Sequence, residues 1–326
     1  MTATEAQGCL LDGHDALLLD LDGVVYVGSR AVPHAVTAIR AARARGVATA
    51  YVTNNAARTP AVVAAHLTEL GLEVAEHDVV TSAQAGAREV AARVPPGSRV
   101  LAVGGPGVAA ALRDRGLDPV SLASDDPVAV LMGYGPDVAW RDLAQASYAV
   151  GRGALFVATN TDLTIPTAEG IAPGNGTLVG AVASSTGRDP LVAGKPHAPL
   201  MLESVERVGA SRPLVVGDRL DTDVEAGHGS GIPTLLVLTG VTDVAALIAA
   251  EPQRRPTYVA ADLRGLLAPA GSLAPVDAGD TPDDGLGGLR AGCLRAWLAR
   301  DEGAPDPTTA GDLARWTRDV AQALAR

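Results

Sequence analysis

The chain has 326 residues, 47% of them hydrophobic and only 3% aromatic, with a formal net charge of −11. This length carries a sizeable core and two domains, the apolar content excludes a disordered chain, and no run of ~18 apolar residues exists to span a bilayer. The negative balance, with no Lys/Arg run, argues against a nucleic-acid partner, which needs a basic face that releases counterions.

The first predicted element is a strand over 16–19, where Ala16-Leu17-Leu18-Leu19 runs into Asp20. A helix over 35–45 leads to a second apolar strand, 48–52, which ends in Thr53-Asn54-Asn55. A helix over 60–70 opens with Pro60, whose fixed φ suits a first helical turn. From about Ser82 to Gly187 the pattern restarts with strands of its own over 99–103, 128–132 and 154–158. About a hundred residues suffice for an independent core, so this reads as an inserted α/β domain.

The first pattern then resumes with a helix over 199–208, a strand over 213–216 ending in Gly217-Asp218, and a helix over 222–229. A strand over 233–238, a helix over 244–250 and an edge strand over 257–259 complete it. Continuous apolar strands alternating with helices predict an α/β fold with a doubly wound parallel sheet covered on both faces. Gly, Pro, Asp and Ser without periodicity make 269–288 a linker. Beyond it two amphipathic helices carry Leu289, Cys293, Ala296 and Trp297, then Leu313, Trp316, Val320 and Leu324. They are expected to dock on the core, with a subunit contact as the alternative. The expected division is a core of 1–82 with 187–268, an insertion over 83–186, the linker, and a helical extension over 289–326.

In doubly wound folds ligands sit beyond the carboxyl ends of the strands, where three polar clusters fall. Asp20-Leu21-Asp22-Gly23 places two carboxylates two residues apart, and a turn at Gly23 crowds both on one point. Gly217-Asp218-Arg219-Leu220-Asp221-Thr222-Asp223 adds three more. So many carboxylates repel one another without a cation, and hard oxygen donors suit Mg²⁺ completed by a substrate phosphate. Thr53-Asn54-Asn55 offers a hydroxyl, two amides and backbone N–H groups for an anion. Lys195, in Gly194-Lys195-Pro196, is the only lysine among 26 basic residues. A compact ammonium is wanted there, where a planar guanidinium does not substitute.

Together these segments resemble, in order, the four motifs of the haloacid dehalogenase superfamily, and the insertion between the second and third resembles class IIA, the NagD-type and p-nitrophenyl phosphatases. Thr81-Ser82-Ala83-Gln84, Ala172-Pro173-Gly174-Asn175-Gly176 and Val237-Leu238-Thr239-Gly240-Val241 resemble that class too. The likeness covers roughly 17–267, and among members it is greatest to actinobacterial glycerol 3-phosphate phosphatases, which likewise carry a C-terminal extension. The resemblance implies a Mg²⁺-dependent phosphomonoester hydrolase with Asp20 as nucleophile and Asp22 as general acid and base. Mg²⁺ is then held by the Asp20 carboxylate, the Asp22 carbonyl and Asp218, with Asp223 orienting ligands behind them. Thr53, Asn54 and Asn55 are implied to hold phosphoryl oxygens, and Lys195 to neutralise charge on both partners. Asp221 is left as a possible helix cap.

The insertion is implied to be a cap that selects the leaving group. The segment Asn160-Thr161-Asp162-Leu163-Thr164-Ile165-Pro166 resembles the loop that reaches the site, offering Thr164 and Ile165 with no cation or aromatic. That suits glycerol 3-phosphate. The alternatives are phosphoglycolate, pyridoxal phosphate or a nucleotide, or transfer to a second substrate by the same nucleophile. Tyr134 and Trp140 are expected in the cap core, with ring stacking as the alternative. Gly105-Pro106-Gly107 mimics a dinucleotide fingerprint and is set aside as a strand-helix turn. His197 is expected to be a polar residue at the start of a helix. Two cysteines without a CxxC, and no basic or apolar leader over 1–14, fit a reducing cytoplasm. A homodimer through the cap or the C-terminal helices is the expected assembly.

Overall fold

Short apolar runs without alternation become strands, buried throughout in Ala16–Leu19, Ala129–Met132 and Thr234–Val237, whereas Arg99–Val103 leaves Arg99 exposed and Ala102 half-buried. The computed structural model describes residues 8–167, 169–275 and 284–326, so the stretch 269–288 lies partly outside the described residues. Two units divide the chain. The first draws its described residues from Met1–Tyr51, Leu70–Leu72 and Val205–Arg326, the second from Val52–Glu69 and Glu73–Ser204.

In the first unit the strands Tyr258–Ala260, Thr234–Val237, Pro213–Gly217, Ala16–Leu19 and Ala48–Thr53 lie in that order and all run parallel. The last of these continues past Tyr51 as Val52 and Thr53, which belong to the second unit. Register pairs Leu19 with Val216 on one side and with Tyr51 on the other. The chain builds outward from the Ala16–Leu19 strand first one way and then the other, so the switch point lies at its carboxyl end, where Asp20 follows. The helix Ala35–Ala44 buries Ala35, Ala38, Ile39 and Ala42, the stripe that a 3.6-residue period places on one face.

The C-terminal helices, Gly287–Asp301 and Ala310–Ala325, dock within this unit. Leu289, Cys293, Ala296, Trp297 and Trp316 share a core with Val244, Leu247, Ile248 and Val259. The indole N–H of Trp297 donates to the Leu247 carbonyl at 3.3 Å. Arg290, 1% exposed, donates through Nε to the Val259 carbonyl at 2.8 Å and pairs with Asp284. In the stretch read as a linker, Ala270–Leu273 forms one helical turn with Ser272 and Leu273 buried.

The second unit has a five-stranded parallel sheet in the order Leu191–Val192, Leu155–Ala158, Ala129–Met132, Arg99–Val103, Asp118–Val120. Its two outer strands escaped the sequence reading, because a two-residue strand and one containing Pro119 carry no apolar run. Alternate residues feed two cores. Val130, Met132, Phe156 and Ala158 meet Ala146, Val150, Val179 and Val182, while Ala129, Leu131 and Val157 meet Ala87, Val90, Val108 and Leu112. Gly105-Pro106-Gly107 is a strand-helix turn, and a Cβ on Gly107 would lie 2.4 Å from the Ala56 carbonyl. The glycine therefore serves close backbone approach.

Two expectations change. Trp140, assigned to the cap core, is 78% exposed at the first position of the helix Trp140–Gly151. Its helix buries Ala146, Ala149 and Val150 instead, a face that excludes position 140. The segment expected as a loop over 160–166 ends in a hairpin, Thr164–Thr167 against Gly170–Pro173, with Ile165 opposite Ala172. β-Branched Thr164, Ile165 and Thr167 favour the extended backbone.

Candidate active site

The parallel ladder carries the acidic motif to its place. The Asp20 N–H still bonds the Val216 carbonyl at 2.9 Å, and the chain then turns so sharply that Val24, Val25 and Tyr26 all donate to the Leu21 carbonyl. Gly23 makes the turn at φ 80°. Its position is doubly constrained, since a Cβ there would also lie 2.6 Å from Asp218 Oδ2. Asp22 is exposed on this turn and Asp20 is half-buried at its root.

Asp218 directly follows the Pro213–Gly217 strand and is 1% exposed. Its Oδ2 accepts the Val241 N–H at 2.7 Å, and its carbonyl accepts the Thr242 N–H at 3.2 Å. Thr239 Oγ1 donates to the Gly23 carbonyl at 2.5 Å, tying the two loops together. Gly240 admits the carboxylate, since a Cβ there would lie 1.9 Å from Oδ2. Asp223, also 1% exposed, accepts through Oδ2 from the Arg219 N–H at 3.2 Å and from Thr222 Oγ1 at 3.4 Å.

The result is three carboxylates, from Asp20, Asp218 and Asp223, each with an oxygen within 4.8 Å of the others. All donors are hard oxygens, two residues are buried, and a glycine-walled cradle holds them together. That chemistry fits a divalent cation such as Mg²⁺, which offsets the repulsion of like charges brought so close. Asp221 stands apart. The Arg219 fork binds it at 3.0 and 2.9 Å, and this hydrogen-bonded pairing holds its carboxyl below the ordinary range against the opposing effect of burial. It therefore pairs with Arg219 and does not cap a helix, lying instead within the wide π turn over Leu220–Val224, which Arg219 precedes.

The uncharged and basic motifs belong to the second unit. Thr53 is 4% exposed and its Oγ1 accepts the Asn55 N–H at 3.1 Å. Asn55 Oδ1 accepts the N–H groups of Ala57 at 2.9 Å and Arg58 at 3.4 Å, so its side chain builds the turn. Both ends of the Asn54 side-chain amide meet protein groups. Oδ1 accepts the Lys195 N–H at 2.8 Å, and Nδ2 donates to the Lys195 carbonyl at 3.1 Å and to Asp162 Oδ2 at 3.2 Å. Lys195 is 4% exposed. Gly194 permits the approach, a Cβ there falling 2.4 Å from the Thr159 carbonyl and 2.6 Å from Asn54 Oδ1. His197 is exposed just before the helix Ala198–Val208. Thr164 is exposed and Ile165 half-buried on the hairpin.

The structure thus gathers Asp20, Asp218 and Asp223 in one unit, and Asn54, Asp162 and Lys195 in the other. The motif resemblance marked the segments that carry the supports, but not their roles: Thr239, Gly240 and Val241 around Asp218, and Asn160, Asp162 and Ser82 around Asn54. A backbone N–H or a missing Cβ has no chemical signature in a sequence.

A haloacid dehalogenase-like hydrolase family model matches residues 17–118 and a HAD-hydrolase-like model residues 192–266. A D-glycerol 3-phosphate phosphatase of Mycobacterium tuberculosis is 44% identical over 309 residues, covering 88% of this chain and 87% of the relative. The chain belongs to the haloacid dehalogenase superfamily. Within that superfamily it is a class IIA phosphatase, as further likenesses agree. The structure of the M. tuberculosis glycerol phosphate phosphatase in complex with magnesium superposes on this haloacid dehalogenase phosphatase with a TM-score of 0.87 and 42% identity, over 95% of this chain and 98% of that one. A p-nitrophenyl phosphatase from Archaeoglobus fulgidus gives 0.72 and 31%, over 78% of this chain and 98% of its own. A 5'-nucleotidase of Bacillus subtilis is 36% identical over 69% of this chain and 87% of its own length.

Proposed function

We propose that this phosphatase hydrolyses a small phosphate monoester, glycerol 3-phosphate first among them, through an aspartyl-phosphate on Asp20 with Mg²⁺ as cofactor. The observation that carries the reading is the cluster of carboxylates from half-buried Asp20 and buried Asp218 and Asp223. Asp20, the Asp22 carbonyl and Asp218 would hold Mg²⁺, with Asp223 orienting them. The cation, when bound, screens the nucleophile from its anionic target and stabilises charge on a phosphoryl oxygen.

Asp20 attacks phosphorus in line, so an Asp20 Oδ–P bond forms as the bond to the leaving alkoxide breaks. Asp22 gives that alkoxide its proton, then takes one from the water that cleaves the acyl phosphate and releases inorganic phosphate. Thr53 and Lys195 offer the phosphoryl oxygens a hydroxyl and an ammonium, and positioning with electrostatics carries most of the barrier reduction. The insertion over 83–186 serves as the cap that selects the leaving group. Support for a polyol phosphate comes from the M. tuberculosis relative's activity and from a hairpin that presents Leu163, Thr164 and Ile165 without a cation or ring.

Phosphate release from glycerol 3-phosphate, phosphoglycolate, pyridoxal phosphate and nucleotides, with and without Mg²⁺, tests the reading against Asp20→Asn as blank. Glycerol 3-phosphate should give the highest kcat/KM, and only with Mg²⁺. A preference for ring-bearing phosphates would move the substrate assignment to the exposed Trp140. Activity in Asp20→Asn would end the nucleophile assignment.

No helix among the described residues is long and apolar enough to cross a membrane, and we place the protein in the cytoplasm on its two free cysteines. A homodimer is assigned to the insertion, where Trp140 and Ile171 are exposed at 78% and 75%; a monomeric mass by light scattering would refute it.

A further inference from the structure

A lysine side chain is a charge on four freely rotating carbons, and holding its ammonium at one point costs rotamer entropy unless the root is fixed. In this chain the Asn54 side chain holds the root of Lys195. The Asn54 amide grips the same residue at both backbone polar atoms, accepting from its N–H at 2.8 Å and donating to its carbonyl at 3.1 Å. That two-point pairing sets the direction in which the Lys195 Cα–Cβ bond leaves the chain.

The grip is itself braced. The Asn54 carbonyl accepts from Ser82 Oγ at 2.6 Å and from Asn160 Nδ2 at 2.7 Å, and both of those residues are buried. Asn175, 1% exposed, donates to the Asn160 carbonyl at 2.8 Å. The remaining Asn54 amide proton goes to Asp162, which lies just before the hairpin that bears Thr164 and Ile165. Both amide protons are spent, so none is left for a phosphoryl oxygen.

We propose that the Asn54 side chain is a positioning group for Lys195, acting on the reaction through that ammonium and not through a contact of its own amide with the substrate. The proposal rests on the reading of Lys195 as a charge-neutralising catalytic group. It predicts that Asn54→Ala lowers kcat for glycerol 3-phosphate about 10- to 100-fold while KM changes less than about threefold, because misplacement by an ångström acts mainly in the transition state.

The deciding measurement is a double-mutant cycle of Asn54→Ala with Lys195→Ala. With no ammonium left to place, Asn54→Ala should cost less than about twofold more in the Lys195→Ala background. A direct phosphate contact, or a simple loss of folded enzyme, would instead multiply the two losses, and that result overturns the proposal. So does an Asn54→Ala enzyme with kcat within twofold of wild type. Should the alanine variant not fold, Asn54→Asp enters the same cycle, since it keeps the volume and the acceptor but sets a carboxylate against the Lys195 carbonyl and Asp162. Wild-type turnover in Lys195→Ala itself would overturn the underlying reading, and the proposal with it, separately from either of these outcomes.

Discussion

At the scale of single residues the site is made by what does not fit as much as by what binds. Lys195 is 4% exposed, and its neighbour Gly194 already stands against the Thr159 carbonyl and Asn54 Oδ1. A guanidinium is broader and planar, so charge alone does not rescue it. Lys195→Arg should lose turnover nearly as fully as Lys195→Ala, on the order of 100-fold or more, the scale expected for removal of one preorganised electrostatic stabiliser. Steady-state phosphate release from the two variants checks this, and near-native rates in the arginine enzyme would remove the compact-charge argument. The sole lysine and the acidic clusters stood out in the sequence because charge belongs to the residue. Gly240 did not. Its role is to leave 1.9 Å of room for an Asp218 oxygen, and nothing in the local sequence says which carboxylate will come close.

Elements follow periodicity where burial has one direction. The two C-terminal helices were legible from recurring apolar positions, and the structure decides that they complete a core with Val244, Leu247 and Ile248. Their mutual packing is tight: a Cβ on Gly292 would lie 2.3 Å from Trp316 Cη2, and Trp316 is 1% exposed. A buried indole cannot swing aside, so Gly292→Ala should destabilise by about 1–3 kcal/mol through overpacking. Denaturant unfolding gives that number, and unchanged stability would mean that the helices are less firmly docked. The strands that the sequence hid, Asp118–Val120 and Leu191–Val192, are short edges that gain their conformation from a neighbour. Trp140 shows the reverse error. Its hydrophobicity suggested a buried place, but it stands at the start of a helix whose apolar face points elsewhere.

For the molecule as a whole, stability depends on pH through groups that burial or pairing has displaced. Burial holds the His14 imidazole below its ordinary value of 6.5, although its Nδ1 meets the Arg212 carbonyl at 3.3 Å. The unfolded chain therefore binds that proton more readily, and the contribution is complete above pH 6.5 and is lost as the pH falls through the lower folded value. Thermal unfolding between about pH 7 and 5 should show a shallower fall of Tm in His14→Gln than in wild type; equal slopes would exclude His14 as a source. The sequence by itself determined the parallel α/β class, the order of the motifs and the kinds of charge they bring, because apolarity and ionisation are properties of neighbouring residues. Only the tertiary structure decided that Val241 supports Asp218 and that Asn54 holds Lys195. Those pairings depend on which distant stretch of backbone the folded chain brings within hydrogen-bonding reach, a distance no local pattern encodes.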